Sequence, residues 1–221
     1  MHRKRFVSGG DSKSKKEDSD LLISLLPIER LRKLLATLLD EEEFLSPFGI
    51  RSVSKKHANQ YEIEIEEQSF SLRYDPGEGT TKMFGGNSNW RGPIWFPINY
   101  LIMQSLRMYF NYFGDEFKVE FPTRSGIYLN LEEVSDQINE RLQKIFASDS
   151  HSDRPVFGGY NNFYKRDENK NLILFHEYFH GETGMGLGAS HQTGWTGLIA
   201  TMIQNEQEIA DHHATVEEIK R

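Results

Sequence analysis

Apolar residues recur at helical spacing in several stretches of the chain. The first stretch begins near Pro27, a residue that suits the first turn of a helix because its missing N–H is not needed there. Leucines fall at helical spacing along this stretch: Leu31, Leu34, Leu35, Leu38 and Leu39. The same spacing predicts further helices over residues 94–113, over residues 131–147 and from about residue 194 onward. The sequence therefore predicts a mainly α fold.

Between residues 44 and 80 the apolar period changes from helical spacing to two. Residues 61–66 alternate apolar and acidic side chains, and Phe70, Leu72 and Tyr74 follow at the same spacing. This pattern predicts two paired strands that form a small β-hairpin insertion. Asp75 opens the turn-forming cluster of residues 75–79 and is expected to be a turn residue.

Residues 1–19 are polar and charged, and we expect them to be a disordered lead-in to one domain over residues 20–221. The formal net charge is -7 and the pI is near 5.6. Binding to phosphates requires a concentrated basic face, so a nucleic-acid partner is not expected.

No apolar run approaches the roughly 20 residues that cross a bilayer, and the N-terminus lacks the apolar middle section of a secretory signal. We therefore expect no membrane segment and a cytoplasmic location. The chain has no cysteine, which excludes disulfides, thiol nucleophiles and thiolate metal sites.

The first candidate binding segment covers residues 83–100. It combines Trp90 and Trp95 with Arg91 and several amide and hydroxyl side chains, in a loop that precedes a predicted helix. Aromatic rings can stack on a sugar ring, and the Arg and amide groups can hydrogen-bond to its hydroxyls. A buried aromatic loop held together by Asn side chains explains the same residues, and the chemistry of the segment leaves both interpretations open.

The second candidate segment covers residues 174–195 and contains Glu177 among Phe175, Tyr178 and Phe179. A carboxylate in such an aromatic setting has restricted water around it and can act as a base where hydrogen bonds favour its ionised form. The alternative is a surface glutamate beside core aromatics.

Other chemistries are excluded or disfavoured by the motifs that are present. The glycines between Gly181 and Gly188 lack the Gly-Lys-Ser/Thr ending of a nucleotide-binding loop. His176 and His180 are four residues apart, but without the His-Glu-x-x-His order they do not indicate a metal site. No Gly-x-Ser-x-Gly elbow occurs, so carboxylate chemistry remains.

At these two segments the sequence resembles glycoside hydrolase family 63, especially its microbial and fungal branch of glucosidase-like and mannosylglycerate-hydrolase-like proteins. Trp-Arg-Gly-Pro-Ile-Trp at residues 90–95, followed by Asn-Tyr-Leu at 99–101, is similar to the family segment that lines the sugar cleft. Glu177, upstream of Gly184 and Trp195, resembles the catalytic-base motif. The similarity extends over about residues 21–203, which correspond to the C-terminal part of a longer family member.

The resemblance implies an inverting α-glycosidase on an (α/α)₆ toroid, of which this chain forms a part, with an α-linked glucoside or similar carbohydrate as substrate and no cofactor or metal. It implies that Glu177 is the general base. The residues that would position the sugar or support its pocket are Trp90, Arg91, Trp95, Asn99, Tyr100, Gln192 and Trp195.

The family's general acid is an aspartate well upstream of the Trp-Arg-Gly segment, and nothing in residues 1–80 resembles its motif. Inverting hydrolysis requires two carboxyl groups roughly 6.5–9.5 Å apart. We therefore expect this polypeptide alone to be inactive or nearly so, as a fragment, a truncated gene model or a degenerate copy.

Two other functions fit the same residues. The chain could be a non-catalytic carbohydrate-binding protein that kept the aromatic cleft, or a helical scaffold whose aromatic residues are all core. A partial toroid should also expose apolar helix faces, through which copies could self-associate.

Overall fold

The computed structural model describes residues 5–8, 21–59, 61–79 and 90–204. Three helices are its longest elements: α1 (Ile28–Leu38), α2 (Phe96–Phe113) and α3 (Leu131–Lys144). They confirm three of the predicted helices, with ends that differ by a few residues. Because α2 packs along α3, these two helices form the centre of the fold.

Local sequence signals explain where the helices begin and end. Pro27 is the N-cap of α1, and Gly114 ends α2 with a positive φ of 63° that glycine adopts without strain. At the start of α3, the Asn130 side chain accepts from the N–H of Glu133, and the Glu133 side chain accepts from the N–H of Asn130. Such a capping box satisfies two N–H groups that the helix itself leaves unpaired.

One apolar core joins the three helices and the loops between them. Its members come from α1 and the following strand, from the start of α2, from the inner face of α3 and from one late strand. The most deeply buried are Leu35, Leu39, Leu45, Ile94, Phe96, Leu131, Val134, Ile138, Leu142, Ile145 and Phe179.

Five short strand pairs complete the described part of the chain. β1 (Arg5–Ser8) pairs in parallel with β2 (Leu21–Ser24), and the other pairs are antiparallel. These antiparallel pairs are β3 (Leu45–Ser46) with β4 (Gly49–Ile50), β5 (Tyr61–Ile65) with β6 (Gln68–Leu72), β7 (Lys118–Glu120) with β8 (Tyr128–Asn130), and β9 (Tyr178–Phe179) with β10 (Gly186–Leu187).

The pair β5–β6 confirms the predicted hairpin. Its register places Ile63 opposite Phe70, and both side chains are exposed, so the hairpin packs little against the rest of the described chain. β1 falls within the predicted lead-in of residues 1–19, and most of that lead-in lies outside the described residues.

The predicted fourth helix is interrupted at Gly197. α4 (Asn161–Tyr164) is a single turn, α5 (Thr193–Thr196) follows near the predicted start, and residues 198–204 are helical again. Ile199 and Met202 reach the core from this last helical stretch.

An apolar groove of about 270 Å³ runs between α1 and α2 on the outer side of the molecule. Leu101 and Met108 lie on exposed positions of α2. Within the described ranges, no helix is long and apolar enough to cross a membrane.

Candidate functional site

Among the described residues, three aromatic side chains pack around Trp95. The ring of Trp90 stacks on Trp95 with centroids 3.8 Å apart and 2° between the planes. Tyr178 stacks at 4.9 Å, and Trp195 meets Trp95 edge-on at 6.2 Å. Trp95 and Tyr178 are buried, whereas Trp90 is 39% exposed, so Trp90 is the open end of the stack. The structure thus brings together three tryptophans from the two sequence segments.

Backbone pairing between Ile94 and Phe179 joins the two segments. The N–H of Ile94 donates to the carbonyl of Phe179 at 2.8 Å, and the N–H of Phe179 donates back at 3.0 Å. Both side chains are fully buried in the core. Because Trp95 follows Ile94 and Tyr178 precedes Phe179, this bridge fixes their stacking.

Glu177 immediately precedes Tyr178 and is half-buried. Its Oε2 accepts from the N–H of Ala189 at 3.3 Å, and its own N–H donates to the carbonyl of Ala189 at 2.9 Å. Gly188 has a φ of 68°, and a Cβ there would lie 2.8 Å from Glu177 Oε2. The close approach of loop and carboxylate therefore depends on glycine at position 188.

The loop after Glu177 is anchored by Arg51, whose side chain is 1% exposed. Its Nε donates to Glu182 Oε1 at 2.9 Å, and the Tyr74 hydroxyl donates to the same oxygen at 2.5 Å. Burial opposes ionisation of Glu182, but the hydrogen bonds from Tyr74 and Arg51 outweigh it and lower the pKa of the carboxyl. Burial and the bond to Glu182 raise the pKa of Tyr74.

His176 and His180 lie in the same region and are half-buried. Burial lowers the pKa of both imidazoles. His180 Nδ1 accepts from the N–H groups of Glu182 and Thr183 at 3.1 and 3.3 Å, so this nitrogen stabilises the loop. In the part of the chain that the structure describes, no group of three or more His, Asp or Glu residues could hold a metal ion.

The other residues predicted to bind the sugar lie outside the aromatic stack. Asn99 is fully buried: its amide donates to the carbonyls of Ile50 and Trp95 and accepts from the N–H of Ile50. Tyr100 packs against the apolar core. Gln192 is exposed at the start of α5.

Arg91 is half-buried next to Trp90, and its carbonyl accepts from the N–H of Asp75 at 2.8 Å. Asp75, expected to be a turn residue, is buried, and its side chain accepts from Arg73 Nη2 at 2.8 Å.

Two residues of the site were not predicted from the sequence. Tyr178 was noted only as a neighbour of Glu177, and its hydroxyl donates to Glu78 Oε2 at 2.8 Å. Glu78 Oε1 accepts from the N–H of Gly188 at 3.4 Å. The only signal for Glu78 was its position between two glycines in the turn after β6.

Comparison with known proteins gives three relatives and one family. The model of the mannosylglycerate hydrolase MGH1-like glycoside hydrolase domain matches residues 20–196. Uncharacterized protein YMR196W of Saccharomyces cerevisiae is 48% identical over 188 residues, which are 84% of this chain and 17% of that protein. The probable mannosyl-oligosaccharide glucosidase of Schizosaccharomyces pombe is 29% identical, over 83% of this chain and 16% of that protein.

The mannosyl-oligosaccharide glucosidase of Saccharomyces cerevisiae is 27% identical, over 79% of this chain and 15% of that protein. The chain therefore spans about a sixth of the length of the curated relatives that it matches.

Proposed function

We propose that this chain, which belongs to the mannosylglycerate hydrolase MGH1-like glycoside hydrolase family, forms the base-bearing wall of the sugar cleft of an inverting α-glycosidase. The resemblance to glycoside hydrolase family 63 is confirmed by the family match and by the two relatives named as glucosidases. The observation that carries the proposal is that a Cβ on Gly188 would lie 2.8 Å from Glu177 Oε2 and 2.6 Å from the ring of Tyr178, so the carboxylate lies next to one end of the aromatic stack.

In this mechanism Glu177 is the general base that removes a proton from the attacking water. Its Oε2 is held by the N–H of Ala189, which orients the carboxylate without occupying both oxygens. The leaving oxygen must be protonated by a second carboxyl group roughly 6.5–9.5 Å away. We propose that a region outside this chain supplies that acid, so the chain alone turns over little or no substrate.

The aromatic stack supports a sugar as the substrate. The exposed ring of Trp90 offers a flat apolar surface to a pyranose, while the buried rings of Trp95 and Tyr178 support it from behind. Within the described residues, Trp195 Nε1 is a buried donor without an acceptor, which a sugar hydroxyl would satisfy. These groups suit an α-linked glucoside or a related sugar, bound without a cofactor.

The remaining predicted residues take supporting roles. Arg91 would hydrogen-bond to sugar hydroxyls beside Trp90. Asn99 would hold the Trp95 backbone in place, because its side-chain amide bonds to the backbone of Ile50 and to the carbonyl of Trp95. Tyr100 and Gln192 would shape the edges of the pocket.

The family fold leads us to propose that α1, α2 and α3 are part of an (α/α)₆ toroid. The side-by-side packing of α2 and α3 and the apolar groove between α1 and α2 support this proposal. In a closed toroid further helices would cover the groove. In the isolated chain, the exposed apolar positions of α2 would favour self-association.

The test is binding of 1-deoxynojirimycin, a glucose-shaped iminosugar whose ring amine is protonated in mildly acidic solution, followed under those conditions by tryptophan fluorescence. Because the cation pairs with a carboxylate, Glu177→Gln should weaken binding at least about tenfold, the value of one charge-assisted hydrogen bond. Glucose, which is neutral, should bind both proteins alike. Glu140→Gln, which changes an exposed glutamate of α3, is the matched control.

Equal iminosugar binding by the parent chain and Glu177→Gln would contradict the assigned base and favour the non-catalytic sugar-binding protein. That alternative is supported by the exposed ring of Trp90, which can bind a sugar whether or not a base lies beside it. Efficient hydrolysis of an aryl α-glucoside by the chain alone would show that the acid lies within it.

Trp90→Ala separates either sugar-binding function from a helical scaffold. Trp90 is exposed at the end of the stack, so its removal should weaken sugar binding and leave the fold intact. A scaffold that uses the ring only for packing would instead lose stability.

A further inference from the structure

The carboxylate of Glu78 connects two chain segments that adjoin Glu177, one at Tyr178 and one at Gly188. Glu78 Oε2 accepts from the hydroxyl of Tyr178 at 2.8 Å, and Oε1 accepts from the N–H of Gly188 at 3.4 Å. Tyr178 directly follows Glu177, and Gly188 directly precedes Ala189, whose N–H donates to Glu177. The Glu78 side chain thus contacts the residue after the proposed base and the residue before its hydrogen-bond donor Ala189.

The loop at Gly188 and Ala189 sets the position of the Glu177 carboxylate. Ala189 bonds to both the backbone and the side chain of Glu177. The positive φ of Gly188 turns the chain so that consecutive N–H groups, those of Gly188 and Ala189, are directed at two different carboxylates. A shift of Gly188 would therefore also move the N–H that orients Glu177.

The segment that precedes Glu78, residues 75–77, is held in place by hydrogen bonds and packing. The N–H of Asp75 donates to the carbonyl of Arg91 at 2.8 Å, and the carbonyl of Pro76 accepts from the N–H of Gly181 at 2.7 Å. A Cβ on Gly77 would lie 3.0 Å from the His180 ring, so the turn is packed closely against the loop that follows Glu177. The turn therefore holds the Glu78 backbone against both segments of the cleft.

We propose that Glu78 is a positioning residue for Glu177, a role that rests on the proposed function. Its carboxylate ties the phenol of Tyr178 to the backbone of Gly188 and so fixes the geometry of the base and of the aromatic stack together. Its exposed side chain contributes little to the core, so its bonds serve the shape of the site.

The first test measures hydrogen exchange of the backbone N–H of Ala189 by NMR. In the parent chain the bond to Glu177 Oε2 should slow this exchange, and Glu177→Ala should remove the protection. Glu78→Ala should greatly reduce the protection, because the loop is no longer held. Glu78→Gln keeps an oxygen that accepts a hydrogen bond, so it should restore most of the protection.

The second test measures 1-deoxynojirimycin binding by the same proteins. Glu78→Ala should weaken binding about tenfold, as for one lost charge-assisted bond, while Glu78→Gln should stay close to the parent chain. Glu140→Ala, on the surface of α3, is the control and should change neither the exchange protection nor the affinity.

A Glu78→Ala protein that keeps the full exchange protection of the Ala189 N–H would overturn the positioning role. Failure of the proposed function has a different signature. In that case the parent chain does not bind the iminosugar, whereas the exchange protection of the Ala189 N–H still depends on Glu78 and shows that this residue positions Glu177.

Discussion

The ion pair between Arg51 and Glu182 gives the most direct prediction of stability. Arg51 is buried, and its Nη1 also donates to the carbonyl of Leu45 at 2.5 Å, so the guanidinium is fixed in the core. Glu182 is its carboxylate partner on the loop after Glu177. The change Glu182→Gln removes the negative charge and keeps the size and one acceptor oxygen of the side chain.

The size of the effect follows from the burial of the two partners. Removal of one member of a fully buried pair costs about 3–5 kcal/mol, because a charge is left without compensation. Here the Glu182 side chain is 31% exposed and is also approached by Lys55 at 3.7 Å, so water and a second cation screen the pair. The glutamine oxygen can still accept from Arg51. We therefore expect a loss of about 1–2 kcal/mol, or about 3–6 °C in Tm.

The pH dependence provides the check on this reasoning. The pKa of Glu182 is lowered in the folded protein, so its contribution is complete above the ordinary carboxyl pKa of 4.5. It is lost as the pH falls through that value and then through the lower folded pKa. The parent chain should therefore be more stable than Glu182→Gln at pH 7, and the gap in Tm should narrow towards pH 3.

Thermal unfolding followed by circular dichroism at both pH values measures this gap. Other carboxylates titrate equally in both proteins and cancel in the difference. Asp167→Asn is the control, because Asp167 is 95% exposed and its pair with Lys170 should be worth less than about 1 kcal/mol. A gap that is the same at pH 3 and pH 7 would refute an electrostatic origin.

Three further predictions concern single positions. Asn99→Leu should cost about 3 kcal/mol or more, because it leaves the N–H and carbonyl of Ile50 unsatisfied in the core, and chemical denaturation would measure the loss. Gly188→Ala should abolish iminosugar binding and cost about 2–4 kcal/mol of stability, because φ is 68° and the new Cβ would lie 2.6 Å from the Tyr178 ring and 2.8 Å from Glu177 Oε2. Binding and unfolding curves on one sample check this. Leu101→Lys with Met108→Lys should reduce self-association in sedimentation without lowering Tm, because these side chains are 60% and 68% exposed.

The sequence predicts the helices well because their apolar faces are regular. The leucine spacing before Leu39 and the apolar face that leads to Ile145 each belong to one continuous helix that buries one side. The short pairs β7–β8 and β9–β10 had no comparable signal, because two or three residues are too few for a period of two to be recognised. The break at Gly197 was also not predicted.

For the candidate site, the sequence indicated which residue types matter but not how they are arranged. Trp90, Trp95 and Trp195 were grouped by the family resemblance, and the structure brings them into one cluster. Asn99 was selected with them because Asn-Tyr-Leu at residues 99–101 is similar to the family segment that lines the sugar cleft. Its neighbours instead direct it at the backbone, and no pattern in the sequence distinguishes these two uses of an amide.

Glu78 shows why part of a cleft escapes sequence analysis. It lies almost a hundred residues before Glu177, and a glutamate in a glycine-rich turn is typical of a solvated loop. Its contact with Tyr178 arises because backbone hydrogen bonds, such as the one from Gly181 to Pro76, join two distant loops. A site made from loops is thus defined by the bonds between the loops, and a residue far from any recognisable motif can control the geometry of the base.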